Sequence, residues 1–112
     1  MTTYELTVDM VRAMRPVLER IGRQDPDLAR QLRRAAASVP LNVAEGLPSR
    51  GRNRGAHLQR ALGSARECVA CLDVAGALGY ASDALVADAR ARVDRCCAAL
   101  WCLVHRPRWY RS

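Results

Sequence analysis

The chain has 112 residues, half of them hydrophobic, and carries a formal net charge of +7. That length supports one domain with one hydrophobic core and excludes a second core of similar size. Lys is absent, so all 18 basic residues are arginines, whose planar guanidinium groups suit phosphate or carboxylate partners.

The first ten residues contain Glu5 and Asp9 and no apolar segment, so we expect no signal peptide. The longest uncharged runs, residues 35–44 and 96–104, are about half of a membrane span, and we expect no membrane partner. Five cysteines, an odd number, are typical of a reducing compartment. These features together predict a cytoplasmic protein.

The positive charge is concentrated in the middle of the chain. Residues 28–66 carry eight arginines and a single acid, Glu45, whereas residues 1–27 and 67–105 are slightly acidic. The last seven residues add three more arginines. Such a distribution favours a polyanionic partner, most simply RNA or DNA. A solvated surface that keeps the protein in solution would explain the charge equally well.

The first helix is predicted over residues 3–23, where apolar residues recur at steps of three and four. Asp25-Pro26-Asp27 is a helix start signal, with an N-cap, a proline at the first helical position and an acid at the positive end of the dipole. The second helix is predicted to continue to Gly46. Pro40 removes a backbone donor inside this helix and should kink it.

A loop rich in Pro, Gly and Arg follows, and the third helix is predicted over residues 53–79, ending at a glycine. This helix is apolar around more than half of its circumference, which suggests burial on more than one side and therefore contacts between subunits. The fourth helix is predicted to start after Ser82 and to end near His105, before Pro107. Short connections make neighbouring helices antiparallel. The predicted fold is an all-α, up-down-up-down four-helix bundle over residues 1–105, with a basic and aromatic tail over residues 106–112.

Residues 38–46 place polar groups inside an otherwise apolar helix. Asn42 falls near the apolar stripe, so we expect it to be buried and hydrogen-bonded. Glu45 is expected to cap a neighbouring helix or pair with an arginine. A structural role explains this segment better than a catalytic one, because no base or nucleophile is paired with these groups.

The stretch Arg34-Ala35-Ala36-Ala37-Ser38-Val39-Pro40-Leu41-Asn42-Val43-Ala44-Glu45-Gly46 resembles the Arg-Ala-x-x-Ser-Ile-Pro-x-Asn-Ile-Ala-Glu-Gly pattern of a known family. That family consists of the four-helix bundle proteins encoded in intervening sequences of bacterial 23S rRNA genes. Ala61-Leu62-Gly63-Ser64-Ala65-Arg66-Glu67 resembles its Ala-x-Gly-Ser-x-x-Glu element, and Leu78-Gly79-Tyr80 resembles its Leu-Gly-Tyr turn. The motif positions are Ser38, Pro40, Asn42, Glu45, Gly46, Gly63, Ser64 and Glu67. Two positions depart from the pattern: His57 stands at a usual aromatic and Arg60 at a usual aliphatic.

The resemblance implies an antiparallel bundle that assembles as a ring, typically a homopentamer, and it does not imply an enzyme. Related bundles are accessory proteins of diversity-generating retroelements, where a basic pentamer partners a reverse transcriptase and its RNA. Two hypotheses about the function of this protein therefore remain open. The first is a non-catalytic ring that binds RNA or another nucleic acid through Arg-rich surfaces. The second is an oligomeric adaptor for a protein such as a reverse transcriptase, with nucleic acid incidental.

The candidate nucleic-acid contacts are arginines of the second helix, of the following loop, of the third helix and of the tail. They are Arg30, Arg33, Arg34, Arg50, Arg52, Arg54, Arg60, Arg108 and Arg111. In the tail they alternate with Trp109 and Tyr110, an arrangement that can stack bases, although a tail folded onto the bundle explains it as well.

We expect no catalytic residues, no metal and no cofactor. Cys68, Cys71, Cys96 and Cys97 superficially suggest a four-thiolate site. However, Cys71 and Cys97 should differ by roughly 10 Å in height along their helices, which one ion cannot span. His57 and His105 stand alone, with no Ser or Cys placed to form a relay.

Overall fold

The computed structural model describes residues 1–106 and contains helices and turns only over that range. In chain order the helices are α1 (Thr3–Ala13), α2 (Arg15–Gln24), α3 (Pro26–Gly46), α4 (Gly51–Ala77) and α5 (Asp83–Val104). α1 and α2 together form the first rod of an antiparallel four-helix bundle, and the other three helices supply the remaining rods. The predicted fold class is therefore confirmed.

The first rod is two helices, and the prediction of one continuous helix over residues 3–23 was wrong at this point. The break falls at Met14, whose backbone N–H bonds to the carbonyls of Val11 and Arg12. Pro16 explains the break, because it has no N–H to donate to the Arg12 carbonyl one turn earlier. The apolar stripe nevertheless continues across the break, since Met10, Met14 and Val17 are all fully buried.

α3 begins where the sequence predicts it. Asp25 is the N-cap, and its Oδ1 accepts a hydrogen bond from the Leu28 backbone N–H at 3.0 Å. The helix runs through Pro40 without interruption. Pro40 leaves the carbonyl of Ala36 without its usual helical donor. Asn42 Nδ2 donates to the Ser38 carbonyl at 3.0 Å. This side-chain bond therefore does not replace the donor that the Ala36 carbonyl has lost.

α4 starts at Gly51, two residues before the predicted start. Gly51 has φ +58°, a left-handed conformation that turns the chain into the helix directly after Arg50. The other end matches the prediction: Gly79 has φ +74° and follows the cap residue Leu78. The Tyr80 N–H bonds to the Ala75 carbonyl and the Gly79 N–H to the Gly76 carbonyl, the two bonds of a Schellman cap. Ser82 then caps α5, as predicted.

One core runs the length of the bundle, which measures 47 × 22 × 20 Å. Its largest fully buried side chains come from all four rods and include Met10, Ile21, Leu32, Leu62, Leu72 and Leu100. The broad apolar face of α4 includes Ala61, Cys68, Cys71, Ala75 and Leu78, and the chain itself covers most of this set. Ala61, Cys68, Cys71 and Ala75 are buried, and only Leu78 of that set is exposed, at 59%. The buried part of this apolar face is thus accounted for within one chain, and only its exposed residues, such as Leu78, could contact another subunit. Within residues 1–106, no helix is long and apolar enough to cross a bilayer.

Candidate nucleic-acid interface

A line of polar side chains joins α3 to α4, and the motif residues form most of it. Ser64 Oγ donates to Ser38 Oγ at 2.9 Å. Asn42 Nδ2 donates to the same hydroxyl at 3.0 Å, so Ser38 links the two helices. Two turns before Ser38 on α3 and one turn after Ser64 on α4, Gln31 Nε2 donates to Glu67 Oε2 at 3.3 Å. We call the residues Ser38, Asn42, His57 and Ser64 the polar seam.

His57 completes the polar seam at the loop end of the bundle. Its Nδ1 lies 3.1 Å from Asn42 Oδ1, 3.4 Å from Arg60 Nη1 and 3.6 Å from Glu45 Oε2. Because Asn42 turns its amide nitrogen toward Ser38, its oxygen faces the imidazole and accepts from a protonated Nδ1. The partner of Glu45 is thus His57, not the arginine or helix end that the sequence suggested. Asn42 is half-buried rather than fully buried.

Gly46 allows α3 and α4 to approach closely beside the polar seam. A Cβ at this position would stand 3.0 Å from the Cβ of His57 and 3.3 Å from Cδ2 of Leu58. Gly46 is also buried and is the last residue of α3. Gly63, the other motif glycine, is exposed, and a Cβ there would meet nothing within 4 Å. Within one chain, Gly46 is therefore needed for the close approach of two helices, whereas Gly63 is not.

The α3 arginines of the candidate site lie on the outer face of that helix. Arg30, Arg33 and Arg34 are all exposed, and Arg30 pairs with Asp27 at 3.0 Å. Beside them, a groove of about 450 Å³ runs between α3 and α4. Its lining combines two arginines with acidic and hydroxyl side chains: Asp27, Arg30, Gln31, Arg34, Ala35, Ser38, Ser64 and Glu67.

The loop arginines gather at the N-terminal end of α4. Arg50 is the residue before the helix, and Arg52 and Arg54 lie in its first turn. Arg54 Nη1 donates to the Leu47 carbonyl at 2.6 Å and so holds the turn together. This helix start has no capping side chain and no acid in its first turn, unlike the starts of α1, α3 and α5. The positive end of the helix dipole and the arginine charges therefore add to one another.

Ion pairs to carboxylates are rarer in this region than in the rest of the described bundle. Among the eight arginines of residues 28–66, Arg30 is the only one with a carboxylate partner within residues 1–106. Elsewhere Arg12, Arg23, Arg90 and Arg92 pair with Asp9, Glu19, Asp73 and Asp9 respectively. The α3–α4 side of the bundle therefore presents guanidinium groups that the protein itself does not neutralise. We call the residues Arg33, Arg34, Arg50, Arg52 and Arg60 the basic surface.

The predicted contacts Arg108 and Arg111 lie outside the described residues, as do Trp109 and Tyr110. The five cysteines are free thiols. Burial is the largest cause that raises the pKa of Cys68 and of Cys96 to about 12, which keeps both thiols protonated at neutral pH. Over residues 1–106, no three His, Cys, Asp or Glu side chains are arranged to hold a metal ion.

Two features of the site were not predicted from the sequence. His57 was treated as isolated, although its position one residue before the buried Leu58 could have placed it against α3. Trp101 and His105 stack on each other near the end of α5, with ring centroids 4.2 Å apart and planes at 22°. Their spacing of four residues on one helix is the signal that could have identified this pair.

The fold and the polar seam define a small all-α bundle whose third and fourth helices are joined by motif residues. A family model described as 23S rRNA-intervening sequence protein matches residues 2–101. The chain belongs to this family.

A solved structure has the same fold. It is described as a protein with unknown function from the S23 ribosomal protein family of Bacteroides thetaiotaomicron. The likeness covers 93% of this chain and 99% of that chain, with a TM-score of 0.84 and 13% sequence identity. At that identity the similarity establishes the architecture alone. The search of curated proteins returned no match to this chain.

Proposed function

We propose that this protein is a non-catalytic helical-bundle protein that assembles as a ring in the cytoplasm and binds RNA or another nucleic acid. The observation that carries the proposal is the basic surface, a group of exposed arginines with no carboxylate partners among residues 1–106. Guanidinium groups bind phosphate oxygens in a bidentate manner, and several of them together favour a polyanion. The uncapped, positive end of α4 adds to the same potential.

The absence of catalysis is part of the proposal and has its own support. The Nδ1 of His57 is near an amide, a carboxylate and a guanidinium, and within residues 1–106 no hydroxyl or thiol is hydrogen-bonded to it. The polar seam fixes the distance and register between α3 and α4, which is a structural role. Arg30 is paired with Asp27, and Arg54 with the Leu47 carbonyl, so these two contribute less to phosphate binding than the basic surface.

The chain provides a matched control for the test. The triple substitution Arg34→Gln, Arg50→Gln and Arg52→Gln removes three charges from the basic surface. The triple substitution Arg15→Gln, Arg20→Gln and Arg95→Gln removes three exposed charges from α2 and α5, and these arginines also have no ion-pair partner within residues 1–106. Fluorescence anisotropy with a labelled RNA oligonucleotide at low salt then compares both variants with the wild-type protein.

We expect the first variant to lose at least about tenfold in affinity and the control to stay within about twofold. Equal losses in the two variants would mean that only net charge matters. No binding of RNA or DNA by the wild-type protein would contradict the proposal.

Ring assembly rests on the family resemblance and on three exposed apolar side chains. Leu41, Val74 and Leu78 are 64%, 45% and 59% exposed in the single chain. Val74 and Leu78 lie one turn apart on α4, whereas the Ser38–Ser64 bond places Leu41 roughly 20 Å away along the bundle, so they offer two separate apolar contact points. We expect sedimentation equilibrium to give a mass several times that of one chain, with five copies as the specific expectation. A monomer at all concentrations would contradict assembly and leave nucleic-acid binding as a separate question.

The same exposed side chains favour a second candidate function, an adaptor for another protein such as a reverse transcriptase. Leu41 is on α3, whereas Val74 and Leu78 are one turn apart near the end of α4. In that case substitution of Leu41 and Leu78 by Ser should abolish co-purification of the protein partner, whereas the triple variant of the basic surface should not.

A further inference from the structure

Trp101 is a large aromatic side chain that the bundle does not cover. It is 50% exposed and lies in the last turn of α5. The His105 ring stacks on it, and His105 Nδ1 donates to the Trp101 carbonyl at 2.9 Å. This hydrogen bond fixes the orientation of the imidazole. The two rings therefore form a preformed flat surface rather than two independent side chains.

Arginines of α4 lie at the same height of the bundle as this pair. The Asp73–Arg90 ion pair sets the register of α4 against α5. From it, Arg66 and Arg60 lie roughly 10 and 20 Å along α4, and Trp101 lies roughly 16 Å along α5 in the same direction. Trp101 is thus between the two arginines in height. Only Arg66 shares the α5-facing stripe of Asp73, because Arg60 lies against His57 on the α3 side of α4.

The electrostatic surroundings of Cys97 are consistent with this placement. Burial and Asp94 raise the pKa of the Cys97 thiol, and the positive charge of Arg66 opposes that shift. Arg66 is therefore near Cys97, which is one helical turn before Trp101 on α5. An aromatic platform and a guanidinium group accordingly lie close together on the α4–α5 side of the bundle.

We infer that Trp101, backed by the His105 ring, forms a platform on which one base of a single-stranded nucleic acid stacks, while Arg66 contacts an adjacent phosphate. This inference rests on the proposed function and names single strands as its substrate class. Every base has a π-face, so stacking on an aromatic side chain tolerates any sequence. In a duplex the base faces are covered by neighbouring pairs, and the platform has nothing to stack on.

The test uses the intrinsic fluorescence of Trp101. The chain has two tryptophans, so Trp109→Phe leaves Trp101 as the only one. Oligouridylate added to this variant should quench its fluorescence, whereas an RNA duplex of equal length should quench it much less. Trp101→Leu should lower the affinity for oligouridylate by about tenfold and leave duplex affinity within about twofold.

Unchanged oligouridylate affinity in Trp101→Leu would overturn the inference. If the triple variant of the basic surface loses binding in that case, the proposed function stands without the platform. If Trp101→Leu instead lowers the oligomeric mass in sedimentation and leaves affinity unchanged, the surface is a contact between copies, and the inference is wrong. If the wild-type protein binds neither probe, the proposed function and this inference fail together.

Discussion

The hydroxyl of Tyr80 donates a hydrogen bond to Oδ2 of Asp25 at 3.2 Å. This bond joins the turn between α4 and α5 to the turn between α2 and α3. Gln24 Nε2 adds a second link, to the Tyr80 carbonyl at 3.1 Å. The Leu78-Gly79-Tyr80 motif thus has two roles, because Gly79 ends α4 and Tyr80 fastens two connections at one end of the bundle.

Asp25 is therefore expected to stabilise the fold through both of its carboxylate oxygens. Its Oδ1 caps α3 and its Oδ2 accepts from Tyr80. Asp25→Ala removes both bonds and should lower the free energy of unfolding by about 1–2 kcal/mol. Asp25→Asn keeps one acceptor for the helix cap and should cost clearly less. Urea unfolding followed by circular dichroism compares the two, and equal losses would show that the cap bond contributes little.

Substitution of the two motif glycines by alanine should change the free energy of unfolding in opposite directions. Gly46→Ala would press a methyl group against His57 and Leu58, and should cost about 1–3 kcal/mol because two helices must move apart. Gly63→Ala meets nothing within 4 Å and should stabilise the chain by about 0.5–1 kcal/mol through helix propensity. Thermal unfolding measures both. A destabilising effect of Gly63→Ala would mean that another molecule covers this exposed position in solution.

The polar seam can be tested with a double-mutant cycle. Ser38→Ala and Ser64→Ala each remove one partner of the 2.9 Å bond between α3 and α4. The double variant should lose less free energy of unfolding than the two single variants added together, by about 0.5–1 kcal/mol. The reason is that each single variant already loses the same bond. Ser49 bonds to the Glu45 carbonyl instead, so Ser49→Ala with Ser64→Ala provides an additive control.

The buried thiols predict how stability depends on pH. The pKa of Cys68 and of Cys96 is about 12 in the folded chain, against an ordinary value of 9.0. Since the folded pKa is raised, the contribution to stability is complete below pH 9.0 and is lost as the pH rises toward about 12. Replacing both residues by Ala should flatten this alkaline loss in urea melts, whereas Cys102→Ser should not, because Cys102 is exposed.

Thiol labelling gives a second readout of the same burial. At mildly alkaline pH a thiol reagent should modify Cys102 quickly and reach Cys68 and Cys96 only when the bundle opens. Rapid labelling of all five thiols in the folded protein would contradict the packing of α4 against α5.

The sequence predicted the elements that depend on local chemistry. The Asp25 and Ser82 caps, the Gly79 end of α4 and the 3.6-residue apolar stripes are all read from neighbouring residues, and each is confirmed. The break at Met14 escaped prediction because the apolar stripe runs through it, and Pro16 was counted as part of a continuous helix. The start of α4 at Gly51 was not predicted, because residues 47–55 have the composition of a loop. That composition does not show that Gly51 adopts the left-handed conformation with which the helix can begin early.

The candidate site was harder to predict, because its contacts join residues that are distant in the chain. The sequence identified Ser38, Asn42 and Ser64 as special positions and could not show that one hydroxyl connects all three. The partner of Glu45 was missed because an arginine was the expected counter-charge, whereas the close approach at Gly46 brings His57 there instead. Similarly, the local apolar pattern of α4 could not reveal which of its apolar residues the neighbouring rods cover and that Val74 and Leu78 stay exposed.

The salt dependence of RNA affinity tests the central claim most directly. For the wild-type protein, the logarithm of the association constant should fall linearly with the logarithm of salt concentration, by about 0.7 per single-strand phosphate contact. The variant lacking Arg34, Arg50 and Arg52 should lose roughly two units of that slope, while the variant lacking Arg15, Arg20 and Arg95 keeps it. Identical slopes for all three proteins would contradict a nucleic-acid interface on α3 and α4.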